Sequence, residues 1–103
     1  MSIGAVQYHR EMMDRDILTF VRESAHVSPV TVEAIHGFLR DIRRRTVSET
    51  DVRDRVSYLI SAGYLHEHRD WVQGAGELVS YVITADGMDV MDGVKPPRGW
   101  QGK

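Results

Sequence analysis

The sequence predicts a mainly helical α+β domain: a three-helix core containing a helix-turn-helix, then a β-hairpin, then a short C-terminal helix. Three observations carry that prediction. Ile35, Phe38, Leu39 and Ile42 repeat at i, i+3, i+4 and i+7, the strongest helical signal in the chain. The stretch Ser48–Leu65, SETDVRDRVSYLISAGYL, reads as one amphipathic helix that stops at Gly63 and passes directly into extended chain. Beyond it, Tyr64–Val72 and Glu77–Thr84 are rich in aromatic and β-branched residues. Gln73-Gly-Ala-Gly76 between them supplies turn chemistry, so the pair reads as a hairpin.

Residues 1–9 are left unassigned. The first helix begins between Tyr8 and Asp14 and runs to about Ser24, with Met13, Ile17, Phe20 and Val21 as its buried stripe. Glu11, Arg15, Arg22 and Glu23 decorate the rest, and Met12 and Met13 are read as core filling. Ala25–Val30 is a connector broken at Ser28-Pro29, with a short extended piece expected around Val30. Thr31, in preference to Ser28, caps the second helix. Gly37 costs that helix about 1 kcal/mol relative to alanine; a close approach by another helix would explain it.

Asp41-Ile-Arg-Arg-Arg45 closes the second helix with cations that complement its dipole. Thr46-Val47 is a short turn, and Ser48 is placed to cap the third helix, with Asp51 adding negative charge to its first turn. Helices joined so closely must cross steeply, as in a helix-turn-helix. Val52, Val56, Leu59 and Ile60 form the inward stripe of the third helix, which leaves Thr50, Arg53, Asp54, Ser57 and Ser61 facing outward. Trp71 is expected to pack across the hairpin or onto the third helix. Thr84 caps a last helix through Met88, Val90 and Met91, ended by Gly93. The final segment, VKPPRGWQGK, has no periodicity and reads as a basic tail without fixed structure, in which Trp100 is a candidate contact residue. The expected organisation is therefore an N-terminal extension or helix start over 1–13, a folded domain over 14–93 and a tail over 94–103.

Composition narrows the function classes. A chain of 103 residues supports one domain with a single modest core. It has no cysteine, which excludes disulfides and thiolate metal sites and fits a reducing cytoplasm. No apolar run approaches the roughly 20 residues a membrane helix needs, and the N-terminus lacks a signal-peptide profile. Net charge is −2, and without Lys95, Arg98 and Lys103 of the tail the remainder falls from −2 to −5. Attraction to a polyanion must then come from local clustering. His66 and His68 share one face of their strand, but no third ligand accompanies them, so no metal site is expected. His9, His26 and His36 are isolated. Gln73-Gly-Ala-Gly76 joins two strands and opens no helix, which is not the context of a nucleotide site. No catalytic motif is present and no cofactor is implied.

The order of elements, and two stretches in particular, resemble a known superfamily. VSETDVRDRVSYLISAGYL is similar to the recognition-helix segment of winged helix-turn-helix DNA-binding domains, with a valine-serine start and a Gly-Tyr-Leu exit into the wing. YVITADGMDVMDG is similar to their closing strand and final helix, and the likeness spans about residues 14–93. The resemblance implies a bacterial or phage-type transcriptional regulator, not an enzyme, whose third helix over 48–62 enters the major groove of double-stranded DNA. Carried onto this chain, it implies Thr50, Arg53, Asp54 and Ser57 as base readers, Arg53 being best suited to guanine. Arg43, Arg44, Arg45, Thr46 and Ser48 become phosphate contacts, and His68, Arg69 and Gln73 become wing contacts. Glu49, Asp51 and Asp54 depart from what an anion-binding surface wants. The alternative is therefore a winged-helix adaptor that binds protein without touching DNA. A single module with these charges binds DNA weakly, so pairing with a second copy or a larger assembly is expected.

Overall fold

The computed structural model describes residues 3–24, 27 and 29–93. Three helices come first, α1 over Ile3–Ser24, α2 over Val32–Asp41 and α3 over Glu49–Ser61. Strands β1 (Leu65–Val72) and β2 (Gly76–Ile83) then form an antiparallel hairpin, and α4 (Ala85–Met91) closes the order. The expected α+β class and element sequence are what the chain adopts.

Polar residues placed just ahead of apolar stripes set three of the helix starts. Thr31 accepts a hydrogen bond from the Ala34 amide at 3.1 Å and Thr84 from the Gly87 amide at 3.0 Å. Ser48 does more. Its hydroxyl accepts from the Asp51 amide at 3.1 Å while the Asp51 carboxylate accepts from the Ser48 amide at 3.2 Å, a reciprocal capping box. Helix α3 ends at Gly63, whose φ of 87° lies in the left-handed region and lets the chain reverse into β1.

One apolar core joins all the layers. Ile17, Leu18 and Val21 of α1 meet Ile35 and Leu39 of α2, and Val52, Val56 and Leu59 of α3, all essentially inaccessible to solvent. Tyr64, Leu65, Tyr81 and Val90 extend the cluster to the hairpin base and α4. At about 1.5–3 kcal/mol for each large aliphatic side chain removed from water, this cluster outweighs any single polar contact in the fold. Phe20 of α1 stacks on Phe38 of α2 with ring centroids 4.6 Å apart. The hairpin register runs from Leu65 opposite Ile83 to Val72 opposite Gly76. No strand forms at Val30; its carbonyl accepts a single bond, 2.9 Å, from the Tyr81 amide.

Four readings from the sequence need correction. Helix α1 begins at Ile3, well before the expected Tyr8–Asp14 window, and its buried stripe includes Leu18. Ile42 does not continue the α2 stripe: the helix ends at Asp41, and Ile42, now its C-cap, is 67% exposed. Periodicity extrapolates only as far as the helix persists. Gly37 has open space around it, so no close helix approach explains it. Trp71 packs on nothing and is 78% exposed, because the eight-residue strands carry it past the helical body. The tail over 94–103, including Trp100, and the connector residues Ala25, His26 and Ser28 lie outside the described residues. Among the described helices none is long and apolar enough to cross a membrane.

Candidate nucleic-acid interface

Helix α3 presents one face to the core and one to solvent. With Val52, Val56 and Leu59 inward, Thr50, Arg53, Asp54 and Ser57 fall at i, i+3, i+4 and i+7 of the opposite face and are all exposed. The structure thus brings together the four residues that the sequence marks as base readers. Ser48 and Thr46 are exposed at the N-terminal end of the same helix, beside the turn that carries Arg43, Arg44 and Arg45.

The acids that crowd this end are largely engaged. Asp51 is occupied by the capping box. Glu49 accepts two bonds from Arg53, at 2.6 and 3.2 Å, and Glu33 of α2 stands 3.5 Å from the same guanidinium. The bond to Glu49 is the main reason the Arg53 guanidinium is raised above its ordinary value. Arg53 is therefore extended along the surface and held by carboxylates on both sides. Exposed pairs of this kind contribute only about 0–1 kcal/mol, whereas a bidentate arginine–guanine contact discriminates by about 1–3 kcal/mol. Of the three acids, Asp54 alone makes no hydrogen bond or close ion pair among the described residues, its charge acting on Arg55 from further off.

The three turn arginines do not behave alike. Arg45 donates to Asp16 of α1 at 2.8 Å, and Arg43 lies 3.5 Å from the same carboxylate while its guanidinium sits over the Phe38 ring. Arg44 makes no close ion pair among the described residues and acts only at longer range, on Asp41. It alone among the described non-glycine residues has positive φ, 58°, a conformation that costs on the order of 1 kcal/mol for an L-residue. The turn is further fixed by the His36 ring, whose Nε2–H donates to the Val47 carbonyl at 2.9 Å.

Sequence reasoning overlooked the contact that orients α3 as a whole. Arg55 reaches back to Asp14 of α1 with two bonds, Nε at 2.9 Å and an Nη at 2.7 Å, and lies over the Tyr58 ring at 4.6 Å. Asp14 is fully buried. The hydrogen bond to Asp14 raises the Arg55 guanidinium above its ordinary value, and burial opposes it. The signal was present: Asp14 falls inside the buried stripe of α1, between Met13 and Ile17, where an acid without a partner would be costly.

The hairpin is exposed along its outer half. Arg69 bonds Glu77 across the strands at 2.9 Å and Glu67 on its own strand at 3.2 Å. His68 lies 3.0 Å from Asp70, and Gln73 is exposed in the turn. The hairpin's arginine is thus matched by carboxylates on both strands, and the exposed Trp71 stands two residues away on β1. His66 and His68 do share a face, and no group of three metal-binding side chains occurs among the described residues. Between hairpin, α2 and α3 runs a cleft of about 410 Å³ lined by Glu33, Arg53, Glu67, Arg69 and Tyr81. Burial holds the Tyr81 hydroxyl above its ordinary value of 10.0, with Glu67 adding to the effect. Since the folded value is the raised one, the stability Tyr81 contributes is fully present below pH ~10 and is lost as pH rises further. An absorbance titration compared with Tyr81→Phe is expected to show the Tyr81 phenol ionising above its ordinary value, together with unfolding that steepens above that pH.

No protein-family model matches the chain, and no curated protein matches it. Among solved structures, that of Bacillus subtilis PadR in complex with operator DNA superposes with a TM-score of 0.66 over 89% of this chain. The fold is a winged helix. Sequence identity to that structure is 14%, and this chain spans 53% of the other's length, about half. In winged-helix terms α2 and α3 are the helix-turn-helix, and the β1–β2 hairpin is the wing. The likeness supports the fold, which the helices and the hairpin had already indicated.

Proposed function

We propose that this winged helix binds double-stranded DNA and acts as a transcriptional regulator of the bacterial or phage type, with α3 in the major groove. The carrying observation is the outer face of α3: four polar side chains at helical spacing, exposed, on a helix anchored to the core by its opposite face. In this reading Arg53 reads guanine, and Thr50, Asp54 and Ser57 address neighbouring base edges, an aspartate accepting from cytosine. Arg43, Arg44, Arg45, Thr46 and Ser48 lie along the phosphate path. His68, Arg69 and Gln73 of the wing approach the backbone or minor groove. Residues 14–93 are the DNA-binding domain, and the basic tail over 94–103 adds attraction to DNA. The protein acts in the cytoplasm, by occupancy and without catalysis or cofactor, and it pairs with a second copy or joins a larger assembly. The fold likeness to PadR, solved with its operator, supports the same reading.

The test is duplex binding measured across salt concentrations. Affinity should fall linearly on a log–log plot with a modest slope, since most arginines already have carboxylate partners. Arg53→Ala should cost roughly 1–3 kcal/mol on the preferred sequence and flatten the difference between preferred and random duplex. Glu49→Gln should tighten binding, because it frees Arg53 and removes a negative charge beside phosphate. Absence of binding at low salt, or binding indifferent to salt, would sink the proposal and leave the adaptor reading.

A further inference from the structure

A cleft larger than the one beside the wing borders the outer face of α3 at Asp54. It holds about 750 Å³ between α1, the turn after α2 and the start of α3, and is lined by Arg10, Met13, Arg43, Arg44, Arg45 and Arg55 with Asp51 and Asp54 at its edge. Most of this charge is already balanced. Asp16 holds Arg43 and Arg45, Asp14 holds Arg55, and Asp51 belongs to the capping box. Arg10 and Arg44 remain without an ion-pair partner among the described residues; the charge of Asp54 acts on Arg55 and that of Arg44 on Asp41, neither as a close ion pair. Arg44 is also the residue held in the left-handed backbone conformation. Glycine or asparagine would sit there more comfortably, so this position holds an arginine against local backbone preference.

We infer that this cleft is a phosphate-binding site in which Arg10 of α1 and Arg44 of the turn are the two pairing cations. Resting on the DNA-binding reading, it extends the interface to α1 and divides labour among the turn arginines. Arg43 and Arg45 tie the turn to α1 through Asp16, which gives Arg44 a fixed platform. Arg44 and Arg10 then close on one phosphate group from two elements. That group is supplied by a backbone phosphate of duplex DNA or by a free phosphate ester; the chemistry recognised is the same.

The experiment compares the unmodified chain with Arg10→Ala/Arg44→Ala and with Arg44→Gly. For duplex DNA, the log affinity against log salt slope of the double variant should be smaller by about 0.9, the contribution of one phosphate contact. Arg44→Gly should lose about half of that while keeping or raising the thermal midpoint, because glycine relieves the backbone conformation. A purely structural Arg44 would not separate the two readouts. In parallel, inorganic pyrophosphate is titrated while the backbone amides of Arg44, Arg45 and Thr46 are followed by NMR. A reduced slope assigns the phosphate to DNA. If wild type fails to bind duplex, the DNA reading falls, yet pyrophosphate shifts present in wild type and absent in the double variant would keep the site for a free phosphate. An unchanged slope in a protein that binds DNA overturns the inference, and so does the absence of both DNA binding and pyrophosphate shifts.

Discussion

Replacing Arg55 with methionine is expected to destabilise the domain by about 3–5 kcal/mol, read as a shift in the urea midpoint at constant slope. The reason is the position of its partner. Asp14 is entirely buried in the α1 stripe, and Arg55 gives it two charge-assisted bonds at 2.9 and 2.7 Å. Methionine preserves much of the apolar stem and its packing near Tyr58 but takes away the bidentate partner of a buried carboxylate. Against a total stability of about 5–15 kcal/mol for a domain, the loss is a large fraction of the whole. The reverse change, Asp14→Asn, should cost less, because Arg55 is 19% exposed and can turn its guanidinium to water. Combining Arg55→Met with Asp14→Leu should recover most of the stability, since a buried ion pair replaced by packed apolar side chains is often neutral. A double variant no more stable than Arg55→Met alone would show that the pair does not account for the loss. In the proposed DNA-binding reading the pair also orients α3, which it ties to α1. A partly unfolded Arg55→Met and a folded but reoriented one would differ in whether DNA binding returns with the Asp14→Leu partner.

Much of this fold is written in local pattern, and that part is legible. Thr31, Ser48 and Thr84 each precede an apolar stripe, and each proves to cap its helix, because capping is settled within three or four residues of sequence. The hairpin is legible for the same reason. What escapes a linear reading is the set of partners that meet only in three dimensions. Asp14 and Arg55 are 41 residues apart, and Asp16 and Arg45 are 29 apart. No periodicity links them, so Arg43, Arg44 and Arg45 look equivalent in the sequence although Asp16 claims two of them. The outer face of α3 could be listed residue by residue from its spacing. That Glu49 and Glu33 grip Arg53 from two helices could only be half seen, since the i, i+4 pair is local and the other is not. Trp71 fails for a related reason: a preference to pack says nothing about how far a strand outruns the body it would pack on.

Gly87→Ala is expected to cost about 1–3 kcal/mol and to lower the thermal midpoint by roughly 4 °C or more. Elsewhere in α4 an alanine would be the better helix former by about 1 kcal/mol, so the sign of the change rests on the surroundings. Gly87 is buried, and a Cβ built on it would overlap the Tyr64 carbonyl oxygen and approach Cγ1 of Ile83 to 2.7 Å. The oxygen belongs to the backbone and cannot swing aside. It is also committed, because the Thr84 amide donates to it at 3.0 Å. Moving α4 away to make room would strain the Thr84 hydroxyl, which donates to the Gly63 carbonyl at 2.6 Å and accepts from the Gly87 amide. That small network ties the exit of α3, the base of the wing and the start of α4 to one another. Gly87→Ala should therefore loosen the wing base along with α4, visible as faster amide exchange at Tyr64, Leu65 and Thr84 while the α1–α2 contact keeps its protection. Unchanged stability with unchanged exchange would mean that α4 slides freely, and the tight seating of this helix against the wing would have to be abandoned.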